Sequence, residues 1–104
     1  MNNKCLALLG FACKAGKLGF GMNEAKACLE KGKSKLIVIA CDISEKSQKE
    51  IKFLSRNKDV NVITLENISI NTVSQAVGRK CGIISVNDNG FADAISIGGY
   101  ANDQ

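Results

Sequence analysis

Histidine and proline are both missing from this sequence of 104 residues, and aromatic side chains make up only 5% of it. Without histidine, neither histidine-based catalysis nor a metal site with a histidine ligand is available. No low-complexity segment or internal repeat marks a linker, and the length therefore predicts one domain over residues 1–104. Binding of single strands by base stacking is not expected, since three of the few aromatic residues are predicted in the core: Phe11, Phe53 and Phe91.

Long apolar runs and paired cysteines are missing as well. The longest apolar run, Leu36 to Cys41, falls far short of the ~20 residues that span a bilayer. The apolar patch from Cys5 to Leu9 is too brief for a signal peptide, so we expect a soluble, cytoplasmic protein with no membrane partner. The five cysteines are odd in number and include no Cys-x-x-Cys pair, which argues against a disulfide framework and a zinc ribbon. Four are predicted on apolar faces as small buried side chains: Cys5, Cys13, Cys28 and Cys41.

Positive charge is concentrated at the start of the chain. Residues 1–35 hold seven lysines and two glutamates, which gives a net charge of +5. Residues 36–58 hold five basic and three acidic side chains, and residues 59–104 hold two basic and five acidic ones. The two basic residues of that acidic part are adjacent, Arg79-Lys80. A surface with this charge distribution suits a polyanionic partner, and a solvated lysine-rich surface explains it equally well.

The spacing of apolar residues predicts nine alternating elements. Alternation of this kind implies one parallel or mixed sheet with helices on both faces. The expected strands are Leu18–Phe20, Lys35–Cys41, Val60–Leu65 and Gly82–Val86. The first expected helix is capped by Asn2 or Asn3, runs to Lys14 and is stopped by Gly16, and the second has Ala25, Cys28 and Leu29 inward. The third is capped by Asp42 or Ser44 and runs to Asn57, the fourth is Asn71–Val77, and the last is capped within residues 87–89 and stopped by Gly98-Gly99.

The glycine loop before the second helix allows two local interpretations. As a dinucleotide site, Gly19-x-Gly21-x-x-Glu24 lacks the third small residue, and the glutamate would repel a pyrophosphate. Asp42 lies where a ribose-binding acid is expected, but the preceding strand is very short and a second mononucleotide-binding half is missing. In the other interpretation Asn23 only caps the helix, Gly21 is only a turn residue, and Glu24 complements the helix dipole.

Two longer stretches of the sequence are "GMNEAKACLEKGKSKLIVIACDIS" and "VSQAVGRKCGIISV". These stretches, their order and their separation resemble the kink-turn-binding ribosomal protein family, the L-seven-Ae or L-thirty-e type. The similarity is closest to its small bacterial members and covers about residues 3 to 97. It implies an α/β fold, a three-layer α/β/α sandwich over a four-stranded mixed sheet. It also implies a non-catalytic RNA-binding protein, ribosomal or ribosome-associated, with structured RNA as its partner. We expect a monomer that uses no metal or cofactor.

The resemblance also assigns site residues. In the family, an Asn-Glu pair at the start of the second helix reads guanines in the opened groove of a kink-turn, and by position this pair is Asn23-Glu24. Asparagine offers a donor and an acceptor, and glutamate accepts from the amino and imino groups of guanine. The second family contact is the loop of residues 78–82, which packs on a flipped-out nucleotide. The expected RNA-binding residues are Gly21, Asn23, Glu24, Val77, Gly78, Arg79 and Lys80, with Lys14, Lys17 and Lys26 on phosphates.

A protein-interaction module on the same fold, with weak nonspecific RNA binding, is the alternative function. It is motivated by the acidic second half and by Ala27, which replaces the lysine that strong kink-turn binders carry four residues past the asparagine. An enzyme is not expected, because the sequence offers no paired acids and no Cys-His or Ser-His arrangement. Asp42 with Ser44 or Lys46 is better explained by helix capping.

Overall fold

The computed structural model describes residues 3–97, in which five helices alternate with four strands. Within this range, no helix is long and apolar enough to cross a membrane. The predicted cap at Asn2 or Asn3 and the predicted stop at Gly98-Gly99 fall outside the residues whose side chains are described. The elements are α1 (Asn3–Lys14), β1 (Leu18–Phe20), α2 (Gly21–Glu30), β2 (Leu36–Ala40), α3 (Glu45–Asn57), β3 (Val62–Leu65), α4 (Ile70–Val77), β4 (Ile83–Val86) and α5 (Asn89–Ile97).

The four strands form one mixed sheet in the order β1-β4-β2-β3. β2 and β3 are parallel, whereas β4 is antiparallel to both of its neighbours, β1 and β2. Strands β1, β2 and β3 therefore end at the edge where β4 begins. We call this the loop edge, and its strand residues are Phe20, Ala40, Leu65 and Ile83; the opposite, far edge has Leu18, Leu36, Val62 and Val86.

Strand β2 explains why the sheet is covered on both sides. All five of its residues are buried, and successive side chains of a strand point to opposite faces. Ile37 and Ile39 pack with α2 and α3, and the other three residues pack with α1, α4 and α5. A continuous apolar run is what a strand buried on both faces requires, and the predicted three-layer α/β/α sandwich is confirmed.

Asp42 and Ser44 make different hydrogen bonds at the loop edge. Ser44 caps α3, since its Oγ accepts a hydrogen bond from the backbone N of Ser47 at 3.1 Å. The Oδ1 of Asp42 instead accepts from the backbone N of Ile70 at 2.8 Å, at the first residue of α4. Asp42 therefore joins the connection after β2 to the start of α4.

Two of the predicted core aromatics lie on the surface. Phe11 is 59% exposed and Phe53 is 60% exposed, so their assignment to the core is wrong, whereas Phe91 is partly buried against the core. Each of the two follows a fully buried residue, Leu9 or Ile51, by two positions. Two helical positions correspond to a rotation of about 200°, which turns both rings away from the sheet.

Of the four cysteines predicted to be buried, one is fully buried, two are half-buried and one is exposed. Cys5 is buried and Cys13 and Cys28 are half-buried, but Cys41 is exposed because β2 ends one residue before it. Burial raises the pKa of the Cys5 thiol to about 11. Cys5 is therefore a protonated, enclosed thiol at neutral pH, and Cys41 is an accessible one.

Thiol labelling of the folded protein should reflect this difference. At pH 8, iodoacetamide should modify Cys41 at least tenfold faster than Cys5, because only a thiolate reacts and the Cys5 thiol is both protonated and buried. Peptide mapping by mass spectrometry measures the two rates. In guanidinium chloride the rates should converge. Equal rates in the folded protein would contradict the described packing.

Candidate nucleic-acid interface

Helix α2 begins directly at the end of strand β1. Its first residue is Gly21, and Phe20 occupies the N-cap position without a side-chain cap hydrogen bond. The interpretation of Asn23 as the cap is therefore wrong. Gly21 has a φ of +86°, a conformation that glycine adopts without strain and that permits the abrupt turn from strand to helix. As a result, Asn23 lies in the first turn with an exposed side chain.

Glu24 stabilises this turn while remaining exposed. Its Oε1 accepts a hydrogen bond from the backbone N of Phe20 at 2.7 Å, from one position later in the helix than the glutamate of a capping box occupies. The rest of the described chain provides no hydrogen-bond partner for Oε2. One carboxylate oxygen therefore holds the β1–α2 turn, and the other is available to a ligand.

The loop of residues 78–82 is attached to the fold at both ends. Gly78 ends α4 with a φ of +75°, and the carbonyl of the preceding Val77 accepts a hydrogen bond from the Cys13 thiol at 3.3 Å. At the other end, the Ser74 Oγ accepts from the backbone N of Cys81 at 3.0 Å. Val77 is 6% exposed, so its side chain belongs to the core, and an RNA contact from this residue stays a prediction. The exposed part of the loop is Gly78, Arg79 and Lys80.

Arg79 brings this loop to the start of α2. Its guanidinium carbon lies 4.6 Å from the centroid of the Phe20 ring, within the range of a cation–π contact. Burial raises the pKa of the Cys81 thiol beneath the loop, and the charge of Arg79 acts in the opposite direction. The two segments that carry the predicted motifs thus meet at the loop edge. Phe20 was not among the predicted site residues, because no local pattern shows that a strand residue will support a distant arginine.

The three predicted phosphate-binding lysines lie in different places. Lys14 lines a groove of about 580 Å³ between α1 and α4, together with Gly78 of the loop. The carbonyl of Lys17 accepts from the backbone N of Asn87 at 2.8 Å, at the far edge. Lys26 forms an ion pair of 2.6 Å with Glu50 of α3. Lys14 therefore adjoins the loop, whereas the structure does not bring Lys17 or Lys26 to it.

A second groove, of about 600 Å³, lies directly beside Arg79 and Lys80. Its walls come from α4, the loop and the connection after β2, and they are formed by Asp42, Ile70, Asn71, Ser74, Gln75, Gly78, Arg79 and Lys80. The lining combines apolar and amide side chains with one carboxylate, Asp42, and two cations, Arg79 and Lys80. Over residues 3–97 no group of side chains is arranged to hold a metal ion.

Comparison with known sequences identifies a family and related proteins that match most of this chain. A family model for the ribosomal protein L7Ae/L30e/S12e/Gadd45 family matches residues 3–96. RNA-binding protein YlxQ of Enterococcus faecium is 32% identical over 89 residues, which cover 86% of this chain and 84% of that protein. Large ribosomal subunit protein eL30 of Methanospirillum hungatei is 28% identical over 92 residues, which cover 83% of this chain and 88% of that protein.

Solved structures share the fold. A protein of unknown function from Bacillus halodurans superimposes with a TM-score of 0.85 at 22% identity, over 90% of this chain and 94% of the other. The 15.5kD RNA binding protein of Giardia lamblia superimposes with a TM-score of 0.74 at 18% identity, over 91% of this chain and 81% of the other. The relatives named here are an RNA-binding protein and ribosomal proteins, and membership of this family confirms the expectation that the chain is not an enzyme. By the match over nearly all its described residues, this chain is a member of the ribosomal protein L7Ae/L30e/S12e/Gadd45 family.

Proposed function

We propose that this chain is a non-catalytic RNA-binding protein, ribosomal or ribosome-associated, that recognises a kink-turn or a similarly bent RNA. It acts as a monomer through the first turn of α2 and the loop of residues 78–82. The contact of Arg79 with Phe20 carries the proposal, because it joins two exposed segments into one surface. The names of the relatives, an RNA-binding protein and a ribosomal protein, support its more general part.

Asn23 and Glu24 supply the base readout. The major groove of regular A-form RNA is too deep and narrow for side chains to read, so a bend that opens the groove is needed before a helix end can enter. The exposed amide of Asn23 can donate and accept at once, and the Oε2 of Glu24 can accept from the Watson–Crick edge of guanine.

Backbone N–H groups supply a site for the phosphate next to these bases. The first N–H groups of a helix have no intrahelical partner. At α2 the N-cap is Phe20, whose side chain cannot accept a hydrogen bond, so these groups stay available. They point out of a helix N-terminus, where the dipole favours an anion. The Glu24 carboxylate repels a single backbone phosphate at Gly21 less than it would repel a pyrophosphate, which carries more charge.

The loop supplies the second contact. A nucleotide displaced from the stack enters the groove beside Arg79 and Lys80, whose cations bind its phosphate. Lys14 approaches the flanking phosphate from the α1 side of Gly78. Ala27 is exposed one turn after Asn23 and adds no charge there, so Arg79 and Lys80 provide most of the local positive charge.

A gel-shift comparison tests the proposal. The protein should bind a kink-turn RNA about tenfold to a hundredfold more tightly than a plain duplex of equal length, because only the bent RNA exposes guanine edges to α2. The preference should persist as salt is raised, since direct base contacts depend less on counterion release than phosphate contacts do. Equal affinities that vanish together at modest salt would favour the interaction-module alternative instead.

A further inference from the structure

Helix α3 carries a line of exposed side chains on its outer face. Lys46, Lys49, Phe53 and Arg56 follow one another at separations of three, four and three residues, which places them on one side of a helix. All four are exposed, and Phe53 is 60% exposed although it is a large apolar residue. We call these four residues the α3 stripe.

The stripe is almost purely cationic. The acidic Glu50 of the same helix is paired with Lys26 of α2 at 2.6 Å, so its charge is compensated on the side that faces α2. Glu45 lies 4.0 Å from Lys49, and both side chains are highly exposed, which makes this a weak pair. Lys46 and Arg56 have no ion-pair partner within residues 3–97. A stripe of three cations around one exposed ring matches a polyanion with planar bases.

The position of α3 connects the stripe to the candidate interface. Helices α2 and α3 each follow a strand that ends at the loop edge, so both begin there and pack side by side. Packed helix axes lie about 8–10 Å apart. From Lys46 the stripe extends over ten further residues, or about 15 Å, towards the far edge. An RNA held at the first turn of α2 can therefore continue along α3 without leaving the protein surface.

We propose that the α3 stripe is a second RNA-contact surface, which binds the stem that leaves the bent segment. The inference rests on the proposed function, since it adds a contact to the same RNA. Lys46, Lys49 and Arg56 bind backbone phosphates of the stem. Phe53 stacks on an unpaired base that adjoins it. The stripe extends the bound length of RNA and does not read its sequence.

Salt-dependent binding measures the phosphate contacts. The triple variant Lys46→Ala, Lys49→Ala and Arg56→Ala should lower the slope of log K against log salt by about two to three for a kink-turn RNA with a long stem. The matched control removes the same charge from three exposed lysines near the far edge, Lys31, Lys33 and Lys35, and should leave the slope near that of the unaltered protein. On a kink-turn RNA whose stem is cut to a few base pairs, the stripe variant should also match the unaltered protein.

A separate variant measures the stacking contact. On a long-stem RNA that carries one unpaired base in the stem, Phe53→Ala should weaken binding about tenfold without changing the salt slope, because stacking releases no counterions. Phe53→Tyr keeps a ring at this position and should restore the affinity. Since the ring lies on the surface, both variants should retain the helical circular dichroism of the unaltered protein.

The outcomes separate the inference from the proposed function. Equal slopes for the stripe variant and its control would overturn the inference alone, and this is the result expected if the stripe meets an acidic protein rather than RNA. A reduced slope with an unchanged preference for kink-turn over duplex would support it. An unaltered protein that shows no preference for the kink-turn would overturn both.

Discussion

Replacing Asn23 and Glu24 together by alanine should remove the preference for kink-turn RNA over a duplex. Each side chain is exposed in the first turn of α2, and a lost bidentate base contact costs about 1–3 kcal/mol. The ratio of the two affinities should therefore fall towards one, while binding of the duplex stays the same because phosphate contacts are retained. Gel shifts with both RNAs at one salt concentration measure the ratio.

Two further variants make this experiment specific. Glu30→Ala with Asn61→Ala removes the same two residue types from exposed positions near the far edge and should leave the ratio unchanged. Glu24→Gln keeps an oxygen that can accept from the backbone N of Phe20, so the β1–α2 turn should survive while the charge that accepts from guanine is lost. An unchanged ratio in the Asn23→Ala, Glu24→Ala variant would refute direct readout by this helix end.

Replacing Ile84 by alanine should cause the largest loss of stability among the changes considered. Ile84 is fully buried in the interior strand β4 and packs against the core on the side of α1, α4 and α5. Removing a buried isoleucine side chain to its Cβ costs about 2–5 kcal/mol, because the lost apolar contacts leave a cavity. For a domain of this size, each kcal/mol lowers the melting temperature by roughly 4–8 °C. Urea unfolding followed by circular dichroism measures the free energy of unfolding.

Two comparisons show whether the loss comes from packing. Ile84→Val removes one methylene and should cost about 0.5–1.5 kcal/mol. Phe53→Ala removes a larger side chain from an exposed position and should change the free energy of unfolding by no more than about 0.5 kcal/mol. If Phe53→Ala destabilised the protein as much as Ile84→Ala does, the exposed position of Phe53 would be incorrect, and the α3 stripe with it.

The sequence predicted those elements whose signal is local. The continuous run from Leu36 to Ala40 predicted a doubly covered strand, and the structure buries all five residues. Phe11 and Phe53 were assigned wrongly because an apolar side chain does not reveal which side of its helix will meet the sheet. The interpretation of Asn23 as the cap placed the start of α2 too late, because the backbone of Gly21 turns into the helix at once and leaves Asn23 inside its first turn.

The candidate site could be predicted only as two separate segments. Asn23-Glu24 and Arg79-Lys80 were each recognised in the sequence, and the resemblance to the family assigned both segments to RNA contact. The contact of Arg79 with Phe20 and the pairing of Lys26 with Glu50 depend on how helices and loops pack, and no spacing along the chain encodes them. Lys26 was therefore assigned to phosphate although its charge is already compensated by a neighbouring helix.

The hydrogen bonds that Cys13 and Ser74 make to the two ends of the loop of residues 78–82 affect the entropy of complex formation. A flexible loop loses about 1–2 kcal/mol of backbone freedom for each residue that a ligand orders. Here the Cys13 thiol donates to the carbonyl of Val77, and the Ser74 hydroxyl accepts from the backbone N of Cys81. Both ends of the loop are therefore fixed before a partner binds. Preorganisation of this kind lets more of the contact energy become affinity, so Gly78, Arg79 and Lys80 meet their partner at a small entropic cost.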